Sequence, residues 1–207
     1  QFSNLRIMGV LQRIALSYFF ASVAVYYLKQ RGAFVLGAIL LLFYWILCIV
    51  LGTPGDPYSL NGWFGNNIDK AIFGEAHLYK GEGVAFDPEG LMSTFAAIVQ
   101  VIFGYLVGDY IQKKGKSFEM VSALFVTATI LTVSGLAWGM VFPINKKIWT
   151  SSYTLYTTGL AIYTIATMIY FIEFKQAKGF LLKFFDVFGK NPSVSYTHLT
   201  LPTNREV

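Results

Sequence analysis

The sequence predicts an all-α protein, a polytopic membrane bundle of five transmembrane helices, and three observations predict it. Of its 207 residues 55% are hydrophobic and only 13% charged, where a soluble domain carries roughly 25% charged residues. Long apolar runs recur between polar breaks, each close to the ~20 residues that a helix needs to cross a bilayer. Lys and Arg fall in the breaks, where they read as topology signals and not as a basic patch interleaved with aromatics. The lipid bilayer is therefore the first expected partner, and no nucleic acid is expected.

The spans are 7–28, 33–51, 91–111, 120–142 and 151–174. The first is not a cleaved signal peptide, because Gln12 and Arg13 interrupt it and no small-residue cleavage pattern follows. The chain opens on Gln1, so its true start is expected upstream. The third span follows "FDPEGLMS" (86–93), in which Asp87 is expected to cap the helix, Pro88 to take its first position and Glu89 to sit at the positive end of its dipole. Within that span Gln100, Gly104 and Gly108 recur every four residues, a small-residue face expected to let helices approach. In the fifth span Tyr153, Tyr156, Thr157, Tyr163, Thr164, Thr167 and Tyr170 share one side. Hydroxyls at that depth are expected to turn toward other helices or a polar cavity.

Alternation puts the segments 29–31, 112–117 and 175–190 on one face, with nine basic residues: Lys29, Arg31, Lys113, Lys114, Lys116, Lys175, Lys178, Lys183 and Lys190. The other face has five: Arg6, Lys70, Lys80, Lys146 and Lys147. The richer face is expected to be cytoplasmic. That leaves 52–89 as a long outer loop, with Asp56, Asp69, Glu75, Glu82, Asp87 and Glu89 against Lys70 and Lys80, a net charge of −4. Such a mouth favours cationic solutes, and a connection of this length without an obvious helical pattern points to function or disorder.

Residues 194–207, "VSYTHLTLPTNREV", break the membrane pattern. They resemble the translation of a transposase-type sequencing adaptor and are set aside as non-native, with His198 and Arg205, leaving 1–193 as a partial transmembrane domain.

The polar residues that a bilayer disfavours are the site candidates. Arg13 lies about six residues, or ~9 Å, into the first span. A charge there faces either a cavity or a structural partner, and Gln12 beside it is expected to share that cavity. Asp87 and Glu89 are read as cap residues or as carboxylates facing the same cavity. His77, in "EAHLYKG", is read first as a surface or packing residue, with a general base as the functional alternative. The single Cys48 offers no disulfide, and no ligand cluster suggests a metal. Nucleotide-loop, zinc-protease and serine-nucleophile motifs do not occur in the sequence.

Five motifs in order carry a resemblance: "LRIMGVLQRIALSYF" (5–19), "HLY" (77–79), "FDPEGLMST" (86–94), "PINKKIWTSSY" (143–153) and "GKNP" (189–192). Together they resemble the membrane acetyltransferases typified by heparan-α-glucosaminide N-acetyltransferase and its bacterial relatives, over nearly all of 5–192. The resemblance implies transfer of acetyl from cytoplasmic acetyl-CoA to the amine of a glucosamine-type saccharide on the other face of a bacterial inner membrane, without a metal. It implies a catalytic histidine in a segment upstream of Gln1, which His77 does not replace, and further helices beyond 192, so this fragment alone is expected to be inactive. Glu89 or Asp87 would then orient the acceptor amine, Arg13 would polarise the acetyl carbonyl or pair with Glu89, and Asn145 and Trp149 would line the same mouth. Lys113, Lys114 and Lys116 could meet the phosphates of CoA, although the positive-inside bias already accounts for them. A homodimer stays open, as do two other classes: a sugar or amino-sugar transporter and a non-catalytic membrane subunit.

Overall fold

A computed structural model of the chain describes residues 5–81, 83–176, 179, 183, 186, 187, 189 and 190. The end of "GKNP", the basic residue Lys178 and the adaptor-like tail 194–207 lie outside the described residues. The elements are α1 (Val10–Leu51), α2 (Phe64–Phe73), a 3-10 turn (Glu75–His77), α3 (Thr94–Lys114), α4 (Phe118–Gly139) and α5 (Ser151–Ile169), which widens into a π-helical turn (Tyr170–Phe174). Among the described residues there is no strand. Residues 1–163 form one compact unit and 164–207 another.

Among the described residues four helices are long and apolar enough to cross a membrane, not the five separate ones expected. The difference lies in α1, where the first two expected spans form one 42-residue element interrupted at Lys29, whose φ of 57° and ψ of −171° are not helical. At 1.5 Å per residue a straight helix of that length would run ~63 Å, twice the hydrocarbon core. Instead the element doubles back on α3. Arg13 reaches Pro88 and Ser93 before the start of α3, and Gln30 reaches Asp109 near its end. Past Lys29 the order reverses, with Phe34 on Phe103 and then Phe43 on Phe95. Small residues let the two arms seat closely: Ala21, Ala24, Ala33 and Gly37 are all buried.

The helix ends follow local chemistry. Gly115 ends α3 with a φ of 65°, a left-handed position that suits glycine. Two residues on, the Ser117 hydroxyl accepts the Met120 N–H at 3.1 Å and starts α4. The start of α3 is a correction. Asp87 is not its cap, and helix geometry begins only at Thr94. Asp87-Pro88-Glu89-Gly90 instead closes a turn, with the Gly90 N–H on the Asp87 carbonyl at 3.0 Å and the Glu89 N–H on the Asp87 carboxylate at 3.0 Å. Pro at the second position and Gly at the fourth are the residues such a turn prefers.

The expected glycine face of α3 is also corrected, because a methyl group added at Gly104 or Gly108 would meet nothing within 4 Å. Close approach occurs between α4 and α5. A methyl at Gly135 would lie 2.6 Å from the Tyr156 nitrogen, and one at Gly159 would lie 2.8 Å from the Thr132 nitrogen. Two of the expected hydroxyls of α5 reach neighbouring helices: Tyr163 bonds Thr129 of α4 at 2.7 Å, and Thr157 accepts Gln100 of α3 at 3.2 Å.

The 52–89 connection packs onto the helices. Trp63, Phe64 and Phe86 from the loop pack with Tyr44 of α1 and with Phe142 and Ile148 from the α4–α5 connection, all essentially buried. The Tyr44 hydroxyl donates to the Ile148 carbonyl at 2.5 Å. Burial of such side chains contributes about 1.5–3 kcal/mol each, enough to hold both connections against the helix ends. Sequence periodicity missed α2 because Gly65, Asn66 and Asn67 open it, and all three are weak helix formers. In the second unit, Lys190 pairs with Asp186 at 2.6 Å and Lys175 sits 5.7 Å over the Tyr170 ring.

Candidate functional site

The site lies where the first arm of α1 meets the 86–93 turn and the 143–150 connection. Arg13 is 6% exposed. It donates to the carbonyl oxygens of Pro88 at 2.9 Å and Ser93 at 3.1 Å. Its guanidinium carbon lies 4.0 Å from the centre of the Trp149 ring, a cation–π contact. Among the described residues Arg13 forms no ion pair, so the expected bond to Glu89 does not form. Its charge rests on two carbonyl dipoles and one aromatic face.

Trp149 reaches this position from a left-handed backbone, with a φ of 52°, which is strained for a bulky residue. The connection around it fixes that geometry. The Thr150 N–H donates to the Asn145 carbonyl at 3.1 Å, and the Asn145 N–H donates to the Thr150 hydroxyl at 3.0 Å. The Trp149 indole N–H then donates to the side-chain oxygen of Gln100 at 3.1 Å, and Gln100 donates to Thr157. Asn145 therefore holds the connection, with its side chain on the Tyr58 carbonyl and the Lys147 N–H, and does not line the mouth.

The two carboxylates of the turn take a partner that the sequence reading counted only as a topology charge. Arg6 donates to both oxygens of Asp87, at 2.6 and 3.0 Å, and to Glu89. Its guanidinium also lies 4.7 Å over the Tyr79 ring. Asp87 is fully buried and bidentate, the stronger geometry for such a pair, while Glu89 keeps 22% of its side chain exposed. Asp87 is thus the structural member of the pair and Glu89 the accessible one. His77 does not line the cavity: its Nδ1 meets the Leu5 carbonyl at 2.7 Å, and its own carbonyl accepts the Ile7 N–H.

Beneath the turn, Asp69 of α2 holds the Leu91 N–H at 3.1 Å through one carboxylate oxygen. The other oxygen, packed against Gly90, is buried without a partner. Burial pushes the Asp69 carboxyl up to about 6, nearby Asp87 adds to the rise, and the bond from Leu91 opposes it.

Arg13, Ser17, Glu89, Gln100 and Trp149 line a cavity of about 400 Å³. Gln12 does not line it; that side chain is exposed, one step round the helix. A second cavity, of about 800 Å³, lies further along α1 and α3, and its walls include Lys29, Arg31 and Lys113. The two cavities share Tyr18 and Val101. Both cavities lie along α1 and α3, the first with Arg13 and Glu89 in its walls and the second with Lys29, Arg31, Lys113 and Asp109. Among the described residues no His, Cys, Asp and Glu cluster could hold a metal ion.

No family model matches the chain. Over 140 residues, 60% of its length, it is 24% identical to the Homo sapiens heparan-alpha-glucosaminide N-acetyltransferase. The matched part is 21% of that protein, so the chain spans about a fifth of the length of this curated relative. The likeness supports a distant relationship to a membrane N-acetyltransferase.

Proposed function

We propose that the chain is part of a membrane acetyltransferase that moves an acetyl group from acetyl-CoA to the amine of a glucosamine-type sugar. The observation that supports this most is the paired cavity. Acetyl-CoA is a long ligand with a polyanionic head and a neutral thioester end, and an amino sugar is cationic until it loses a proton. The larger cavity has Lys29, Arg31 and Lys113 in its walls against one carboxylate, Asp109, which pairs with Lys113 at 2.9 Å, and that excess of positive charge suits the phosphates. The cavity with Arg13, Glu89 and Trp149 suits the meeting of thioester and amine, with Glu89 as the group that collects the amine.

In this reading α1 crosses the membrane twice, the Lys29 turn and the α3–α4 turn face the cytoplasm, and 52–89 faces outward. The base that frees the amine lone pair belongs to an upstream histidine, as the motif resemblance implies. The distant likeness to a heparan-alpha-glucosaminide N-acetyltransferase supports the same chemistry.

Vesicles from cells expressing the intact, longer protein of which this chain is proposed to be part, given labelled acetyl-CoA on the Lys29 side and glucosamine on the other, are expected to form labelled N-acetylglucosamine. With Glu89→Gln the rate should fall by roughly 10²-fold, the loss typical of one group acting in the transition state. Glucosamine that crosses the membrane without being acetylated would make the protein a transporter and sink the proposal.

A further inference from the structure

Two donors in the smaller cavity have no partner in the protein. Arg13 and Ser17 sit four residues apart on α1, so they share one helix face, and both line that cavity. The Nε of Arg13 and the Oγ of Ser17 are both buried without a hydrogen-bond partner. A serine inside an apolar helix commonly bonds the carbonyl four residues back, which here is Arg13's own, and Ser17 does not do so. It is 2% exposed, so bulk water does not satisfy it either. Such orphans cost about 1–3 kcal/mol each. The charge of Arg13 makes no direct ion pair: Glu89 and Asp87 act on it only through space, and both are bonded to Arg6.

We infer that Arg13 Nε–H and Ser17 Oγ–H form the seat for the acyl oxygen, holding the thioester carbonyl and, more strongly, the oxyanion that replaces it. The inference rests on the acetyl-transfer reading and adds to it a residue, Ser17, and a step. The amine lone pair forms a bond to the carbonyl carbon while the carbonyl π pair moves onto oxygen, where the two donors meet it. As the pair returns, the C–S bond breaks and CoA leaves as the thiolate, which takes up the proton lost from the amine nitrogen. Donors aimed at the place where charge develops act most strongly in a water-poor cavity. A buried cation with no anion of its own is the arrangement that a transient anion completes.

The test uses the vesicle assay together with binding to the protein in nanodiscs. Ser17→Ala is expected to lower kcat by on the order of 10²-fold with KM for acetyl-CoA within about twofold, because removing one oxyanion donor acts on the transition state. Ser17→Thr, which keeps the hydroxyl, should retain most of kcat. Independently of turnover, the wild type should bind acetyl-CoA more tightly than CoA, and Ser17→Ala should reduce that preference by roughly five- to tenfold, the worth of one hydrogen bond. A kcat unchanged in Ser17→Ala, or lowered equally in Ser17→Thr, would overturn the seat. So would an acetyl preference that survives the substitution. A wild type that binds neither CoA compound would instead sink the acetyl-transfer reading itself.

Discussion

At the scale of residues, the site divides its charges by how deeply each is buried and what each touches. Asp69 is the sharpest test, because its carboxyl titrates near 6 when folded against about 3.9 in an unfolded chain. Between those values the folded protein holds the extra proton, so stability from this residue falls as pH rises through the window and levels off above it. Asp69→Asn keeps an oxygen for the Leu91 N–H but cannot ionise. Its melting temperature relative to wild type should therefore climb from about pH 4 to pH 7, and a difference that stays flat over that range would contradict the assignment. Of these residues the sequence made Arg13 legible, since depth in an apolar span signals burial without contacts. Arg6 was not legible, because its partners lie 81 and 83 positions away and it stands outside any span. Asp87 misled for a local reason: Asp-Pro-Glu-Gly satisfies the rules for a helix start and for a turn alike, and the bidentate grip of Arg6 favours the turn.

At the scale of elements, hydropathy located the apolar spans to within a few residues at most ends, because the bilayer imposes a length that composition records. How the helices touch was harder to read. The glycine repeat in α3 resembled a contact face, yet Gly104 and Gly108 look onto open space while Gly135 and Gly159 take the close approach. Spacing alone does not tell which face of a helix meets a neighbour. Gly159→Ala would press a methyl onto the Thr132 nitrogen and the Ala128 carbonyl and should cost about 1–3 kcal/mol. Gly104→Ala should be neutral or stabilise by up to ~1 kcal/mol. Thermal unfolding of the two variants in one detergent checks the contrast, and equal shifts would show that the α4–α5 contact is not close. Along α5, Thr157 and Tyr163 bond to α3 and α4, while the hydroxyls of Thr154 and Thr158 are buried without a partner.

At the scale of the whole molecule, the doubling back of α1 on α3 sets sidedness. If α1 crosses twice, cysteines placed at Lys29 and at Lys80, in a Cys48→Ser background, should react with an impermeant thiol reagent from opposite faces of sealed vesicles. Labelling of both from one face would contradict the double crossing.

The turn at Lys29 also carries a consequence for peptide mapping. Lys29 and Arg31 are trypsin sites by sequence, but a protease must draw out several extended residues before it can cut. Helical hydrogen bonding runs up to Lys29 from both sides, which leaves no such slack. Trypsin acting on intact vesicles should therefore spare this turn from either face, and the first arm should emerge from the digest still joined to the second as one large hydrophobic peptide.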